Sequence, residues 1–397
     1  MAIEKYSREM KKLKRSVMRD LLALAVDPEI VSFAGGLPTS ELLPIRDFQE
    51  CMHDVLERDG AAALQYSPMY GPLQEWIQTY MCGRGVACNV DQIFITNGAQ
   101  QGQAILSRLF LDPGDVAVTE EITFTGIQQV TAGRDMLVRT VRTDLESGVD
   151  LDDLQRAFRK EPRPKLAILI PDFHNPLGVS ISRENRKLIA DLAAEYEVNV
   201  IEDDPYSPLR FEGEALPPIK AFDSKDSVFY LGSFSKMLAP AVRLGWVVVP
   251  EGLLPRVTVL RESFDLETST LLQRTVAEFL GRGLLTPHLN DMARINRKRC
   301  ACMQEALAKY LRKLATWTEP QGGLFIWVTL PEGMNTMDLF HEALAERVIY
   351  IPGEAFAVHG GHRNTMRLNF SNVTCDKIEI GMERLAEVIQ SHDTAQG

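Results

Sequence analysis

The stretch LGSFSKMLAPAVRLGW, residues 231–246, places Lys236 in a turn beside Ser233 and Ser235, with Arg243 seven residues later. Apolar runs at 228–231 and 245–249 bracket the turn and read as buried strands. Two hydroxyls and two cations where such strands end make a candidate anion site. In open α/β sheets, ligands sit outside the strand ends.

Outward from this turn, short apolar runs alternate with helical patterns. Strands are expected at 93–96, 116–118, 137–141, 166–170 and 198–201, in addition to the two flanking the turn. The stretch 183–196 reads as a helix between strands, and Asn97-Gly98 turns a strand into a helix from Ala99. Buried strands separated by crossover helices imply a mostly parallel sheet covered on both faces. An arm precedes residue 45, with a helical stretch at 16–26 and a Gly35-Gly36-Leu37-Pro38 turn. After Gly283 the pattern changes to a long helix at 289–314, strands at 325–329 and 365–370, and a last helix at 376–390. The expected division is 1–45 for the arm with part of a small domain, 46–283 for a large domain and 284–397 for the small domain.

The chain has 397 residues, 45% of them hydrophobic and 24% charged, which suits a globular protein with a sizeable core. A formal net charge of -11 disfavours nucleic acid and anionic membranes as partners. No apolar run has the length of a membrane span, and the start carries no secretory pattern, so a cytoplasmic location is expected. The six cysteines form no CxxC pair and have no nearby histidines. Neither a metal site nor a disulfide framework is indicated, and free thiols are expected.

Chemistry-bearing residues gather at the strand ends. Gly98, Ala99 and Gln100 open a helix whose first N–H groups suit a phosphate. Phe124 follows the next strand and offers a flat apolar face. Pro171-Asp172-Phe173-His174-Asn175-Pro176-Leu177-Gly178 brings Asn175 to a turn as a side-chain donor. Glu202-Asp203-Asp204-Pro205-Tyr206 ends another strand with acids among apolar residues, where each needs a partner.

Taken together, these motifs resemble the fold-type I, pyridoxal-phosphate-dependent aminotransferases of class I/II, over nearly the whole chain. The resemblance is carried by Ser233-Phe234-Ser235-Lys236, Arg243-Leu244-Gly245, Asn175-Pro176-Leu177-Gly178, Asp203-Asp204-Pro205-Tyr206 and Arg367-Leu368-Asn369-Phe370. SFAGGLP near the start, YGPLQEW at 70–76 and IPGEAF at 351–356 are most similar to the branch with 2-aminoadipate and kynurenine aminotransferases.

The resemblance implies a fold: a large domain with a mostly parallel seven-stranded sheet sandwiched by helices, plus a smaller α/β domain. It also implies the cofactor, pyridoxal 5'-phosphate, held on Lys236 as an internal aldimine. Lys236 would then carry the proton of the substrate Cα. Asp203 would face the pyridinium nitrogen, while Asn175 and Tyr206 would bond the ring oxygen. The phosphate would lie among Gly98, Ala99, Gln100, Ser233, Ser235 and Arg243, with Phe124 stacked on the ring. Arg367 would clamp the substrate carboxylate with a fork that lysine cannot reproduce. Gly36 would bring backbone close to substrate. Tyr70 would reach the phosphate of a neighbouring subunit, which implies a homodimer with shared active sites. Two departures, His174 for a frequent glutamine and Leu177 for a common threonine, touch the shape of the pocket and not the cofactor contacts.

The implied reaction is ping-pong transfer of an amino group from an L-amino acid to a 2-oxo acid, with 2-oxoglutarate as the expected acceptor. Arg19 on the arm helix matches an arginine that reaches a side-chain carboxylate in the aminoadipate-type branch, which would favour acidic substrates. The alternative keeps fold and cofactor but ends in β-elimination, decarboxylation or oxidative deamination. A regulator with an added helix-turn-helix domain is disfavoured, because about 30 residues before Gly35 are too few for one.

Overall fold

The computed structural model describes residues 29–132 and 136–396, together with Lys5 and Met10. The arm helix expected at 16–26, and Arg19 with it, lies outside the described residues.

Seven strands build the larger sheet: β1 (Ile93–Thr96), β2 (Val116–Glu120), β3 (Leu137–Val141), β4 (Leu166–Leu169), β5 (Asn199–Asp204), β6 (Val228–Ser233) and β7 (Gly245–Val248). Their order across the sheet is β1-β7-β6-β5-β4-β2-β3. Only β7 runs antiparallel to its neighbours, β1 and β6; the other pairs are parallel. The mostly parallel seven-stranded sheet read from the sequence is therefore present.

Alternation along the strands explains why both faces are apolar. On β4, Ile168 packs with Ile105, Leu106 and Leu231, whereas Ala167 and Leu169 pack with Leu154, Phe158 and Ile189. Helices cover both sides: α1 (Ala99–Phe110) lies on the first face, and α2 (Leu151–Arg159) and α3 (Arg183–Tyr196) on the second. Ser182 caps α3, its hydroxyl accepting the Asn185 N–H at 3.2 Å.

The most informative boundary is β5. The expected strand at 198–201 continues through Glu202, Asp203 and Asp204, all buried. Acids persist there because each has donors. Glu202 accepts the N–H groups of Ile219 and Lys220 at 2.7 and 2.9 Å. Asp203 accepts from Gln103, and Asp204 from Arg84.

A second sheet of four strands, β8 (Thr316–Trp317), β9 (Phe325–Thr329), β10 (Ile351–Pro352) and β11 (Thr365–Asn369), has the order β8-β9-β11-β10. Its helices, Leu285–Leu311 and Cys375–Gln396, pack on a separate core that includes Met303, Leu307, Trp327 and Leu385. The first starts a turn before its expected position and the second runs past its expected end. Val31–Ser32 pairs in parallel with Val348–Ile349, so the segment with Val31, Phe33 and Ala34 joins this second core.

The cysteine expectation is corrected here. Cys302 and Cys375 form a disulfide joining the two helices, at a sequence separation of 73. Spacing could not reveal the pair, because the packing of two distant helices brings it together. Cys51, Cys88 and Cys300 are buried free thiols, and Cys82 is a free thiol at the surface.

Candidate active site

The turn at 231–246 begins where β6 ends. Ser233 is both the last strand residue and the cap of the helical turn Phe234–Met237, its hydroxyl accepting the Ser235 N–H at 3.1 Å. That turn projects Lys236 inward. Its amine donates to the Gly36 carbonyl at 2.6 Å. Burial, reinforced by the charges of Arg367 and Arg243, lowers the amine to about 8.

Arg243 adopts a left-handed conformation, φ 49°, and folds back over the turn. It donates to the Ser235 hydroxyl and to the carbonyl of Asn97, both at 3.3 Å. Gly98, the cap of α1, has φ 79°, and a Cβ there would lie 2.4 Å from Arg243 Nη2. Only glycine lets the arginine close on the start of α1. Ser233, Ser235, Arg243 and the first N–H groups of α1 thus form one polar cradle. Phe124 and Gln100 border it. Gln100 donates to the Gly126 carbonyl at 3.0 Å, and a Cβ at Gly126 would lie 2.4 Å from the Phe124 ring.

A second chain of contacts links the remaining residues. Arg367, on β11, is 1% exposed and donates to Asn175 Oδ1 at 2.8 Å and to the Ala34 carbonyl at 2.5 Å. Its guanidinium lies 4.2 Å from the Phe325 ring centre and 4.9 Å from that of Phe356. Asn175 donates in turn to the Tyr206 hydroxyl at 3.2 Å. Gly36 closes this side, for a Cβ there would sit 3.3 Å from the Phe325 ring.

Asp203 is 4% exposed and accepts from Gln103 Nε2 at 2.6 Å through Oδ2, while Oδ1 is buried without a partner. Burial, then the charges of Asp204 and Glu120, push its carboxyl up to about 7. A buried acid with one oxygen unsatisfied awaits a donor or a cation.

Lys236, Gly36, Arg367, Asn175, Tyr206 and Asp203 converge, with the phosphate-type cradle beside them. Tyr70 belongs to another group of contacts: its ring lies against Arg274, 4.6 Å from ring centre to guanidinium, and its N–H donates to Gln273 at 2.9 Å. The sequence reading missed Gln103, Phe325 and Phe356. Gln103 had a signal, since it lies one helical turn after Ala99 on the face turned to the sheet. Of the two departures, His174 is buried with Nε2 3.6 Å from Glu120 Oε1, and Leu177 packs into the second core.

The family model for aminotransferase class I and II matches residues 39–385. The chain belongs to this family. An aromatic-amino-acid aminotransferase of Thermococcus litoralis is 36% identical, the alignment covering 98% of this chain and 94% of the relative. The crystal structure of a kynurenine aminotransferase of Pyrococcus horikoshii, in complex with PMP, superposes with a TM-score of 0.93 at 34% identity, covering 98% of each chain. An α-aminoadipate aminotransferase of Thermus thermophilus, complexed with N-(5'-phosphopyridoxyl)-L-leucine, superposes with a TM-score of 0.90 at 32% identity, covering 99% of each.

The aminotransferase is therefore pyridoxal-phosphate-dependent, and its own residues fit that cofactor. The unpartnered Asp203 Oδ1 suits a protonated ring nitrogen, and the cradle closed by Arg243 over Gly98 suits a phosphate. A part-buried amine lowered to about 8 suits attack on a carbonyl.

Proposed function

We propose that this aminotransferase moves the amino group of an L-amino acid to a 2-oxo acid, with 2-oxoglutarate as the acceptor, by a ping-pong sequence at one site. The observation that carries the reading is the hydrogen bond of the part-buried Lys236 amine to the Gly36 carbonyl, beside Arg367. When bound, pyridoxal phosphate supplies the electron sink and the amino-group carrier that no side chain provides.

In this reading Lys236 would be the group that takes up and carries the proton of the substrate Cα. A strongly basic lysine would hold its proton too tightly; one near 8 releases it at working pH. Asp203 holds the proton on the ring nitrogen. Asn175 and Tyr206 orient the ring oxygen, and their mutual hydrogen bond fixes both. Gly98, Ala99, Gln100, Ser233, Ser235 and Arg243 hold the phosphate, and Phe124 covers the ring. Arg367 binds the substrate carboxylate, its charge kept unscreened by two phenyl rings. Gly36 closes over the substrate and limits water. The same carboxylate clamp serves donor and acceptor, which is what a ping-pong exchange requires.

The names of the relatives point to aromatic amino acids, kynurenine or 2-aminoadipate as donors. The proposal includes a cytoplasmic homodimer in which Tyr70 reaches the neighbouring subunit's phosphate. An apolar surface groove next to the Lys236 turn, lined by Leu43, Ile45, Phe48, Met52, Ala241 and Leu272, supports a second copy there. Among the described residues, no helix is long and apolar enough to cross a membrane.

A panel of amino donors, each with and without 2-oxoglutarate, tests the reading. One equivalent of oxo acid per donor, with glutamate formed, supports it. Ammonia or carbon dioxide released without an acceptor overturns it.

A further inference from the structure

Two acids stand side by side at the end of β5, but only Asp203 has an oxygen left over. Asp204 is 2% exposed and fully engaged. Its Oδ2 accepts from Arg84 Nη1 and from the Tyr230 hydroxyl, both at 2.9 Å. Arg84 Nη1 also donates to that hydroxyl at 2.5 Å, which closes a triangle. The other oxygen, Oδ1, accepts the Ser207 N–H at 2.9 Å and so clasps the turn Pro205-Tyr206-Ser207. Burial alone would raise the Asp204 carboxyl, but Arg84 and Ser207 outweigh it and hold it below the usual range.

Arg84 comes from the end of the helix Gly71–Gly83, 120 residues before its partner. Its guanidinium lies 5.4 Å from the Tyr230 ring centre and 5.7 Å from that of Tyr80. The clasped acid is flanked in sequence by Asp203 on one side and Tyr206, two residues on, at the other. Whatever fixes Asp204 fixes the direction of both.

We propose that Arg84 is a positioning residue for the reaction: through Asp204 it fixes the 203–206 turn, so that the Asp203 carboxylate and the Tyr206 phenol meet the cofactor ring in one arrangement. This inference rests on the assignment of Asp203 and Tyr206 to the ring proposed above. An apolar side chain at 84 leaves Asp204 a buried acid without a cation, which takes up a proton or water and loosens its hold on Ser207.

The test uses the protein loaded with isotope-labelled pyridoxal phosphate, reading the ring-nitrogen chemical shift and the cofactor's dissociation constant. Arg84→Met moves the ring nitrogen toward the unprotonated position and weakens the cofactor about tenfold, and Arg84→Lys restores most of both. Tyr230→Phe, which removes the two hydrogen bonds of the hydroxyl and no charge, shifts both readouts part of the way. It decides the matter if Arg84→Met does not fold. Should the variants lose thermal stability but keep the ring-nitrogen shift and affinity within about twofold, Arg84 is structural and the inference is overturned. Asp203→Asn separates the two levels: if it leaves the ring nitrogen unmoved, the assignment of Asp203 itself fails; if it moves the nitrogen and the other variants do not, only the role of Arg84 fails.

Discussion

The Lys236 amine donates a 2.6 Å hydrogen bond to the carbonyl of Gly36, 200 residues earlier in the chain. The segment that supplies this carbonyl is tied to the second sheet. Phe33 donates to the Ile349 carbonyl and accepts from the Asn369 N–H, each at 2.8 Å. The strand carrying Arg367 and the loop covering Lys236 are therefore fastened together, and the part-buried amine lies against that loop. Desolvation disfavours the charged form, and with the charges of Arg367 and Arg243 it lowers the amine from 10.5 to about 8.

Replacing Lys236 by alanine tests its covalent and proton-carrying roles together. We expect turnover to fall by about 10²–10⁴ or more from loss of the general base alone. After borohydride reduction, the wild type retains the mass of the cofactor and the Lys236→Ala protein does not. A retained adduct would show that another lysine carries it.

The lowered amine also sets a pH dependence in the apoprotein. Only the neutral amine attacks a carbonyl, so the rate of cofactor capture rises with pH to about 8 and then levels. In the unfolded chain the same lysine keeps its proton up to 10.5. The unfolded state thus binds more protons between these values, and this group's contribution to apoprotein stability rises with pH from about 8 to 10.5. Capture followed by absorbance, and unfolding followed across the same range, check both signs; Lys236→Ala removes both.

Asp203→Asn exchanges function for stability. The carboxyl is raised from 3.8 to about 7, so the folded state holds its proton the more tightly. Its favourable contribution is full below 3.8 and is lost as pH rises through about 7. We expect the apo form of the variant to be more stable than wild type above that pH, by a few kcal/mol at most, with turnover down about a hundredfold or more. Equal stability of the two apoproteins at alkaline pH would contradict a buried, unpaired carboxylate.

Arg367→Lys keeps a charge but loses the fork. The hydrogen bond to Asn175 and the contact with two phenyl rings both need the planar guanidinium. KM for donor and acceptor should each rise about a hundredfold, corresponding to ~2.7 kcal/mol, with a smaller change in kcat. An effect on one substrate alone would argue against a shared carboxylate clamp.

Reducing the Cys302–Cys375 bond frees a long loop in the unfolded chain. Denaturant unfolding with and without reductant should differ by about 2–4 kcal/mol, and Cys302→Ser should match the reduced protein. Neither residue contacts the Lys236 pocket through any described bond, so turnover below the unfolding transition should be unchanged.

The strands, the turn of Ser233, Ser235 and Lys236, and the order of the strand-end motifs were legible because their signals are local. Apolar alternation, the Asn97-Gly98 turn and Asn175-Pro176 act over a few residues, and the fold follows from their succession. The Lys236 turn, first readable as an anion site of unspecified kind, divides in the structure into a cradle closed by Arg243 and a part-buried amine facing Gly36. What the succession left open was pairing across distance. Gln103 under Asp203, Arg84 on Asp204 and the Cys302–Cys375 bond join residues 100, 120 and 73 positions apart, and the two phenyl rings reach Arg367 from other segments of the chain that only packing brings together. A local pattern says that a buried acid must find a partner; only the tertiary structure, by excluding water and bringing one donor within reach, decides which.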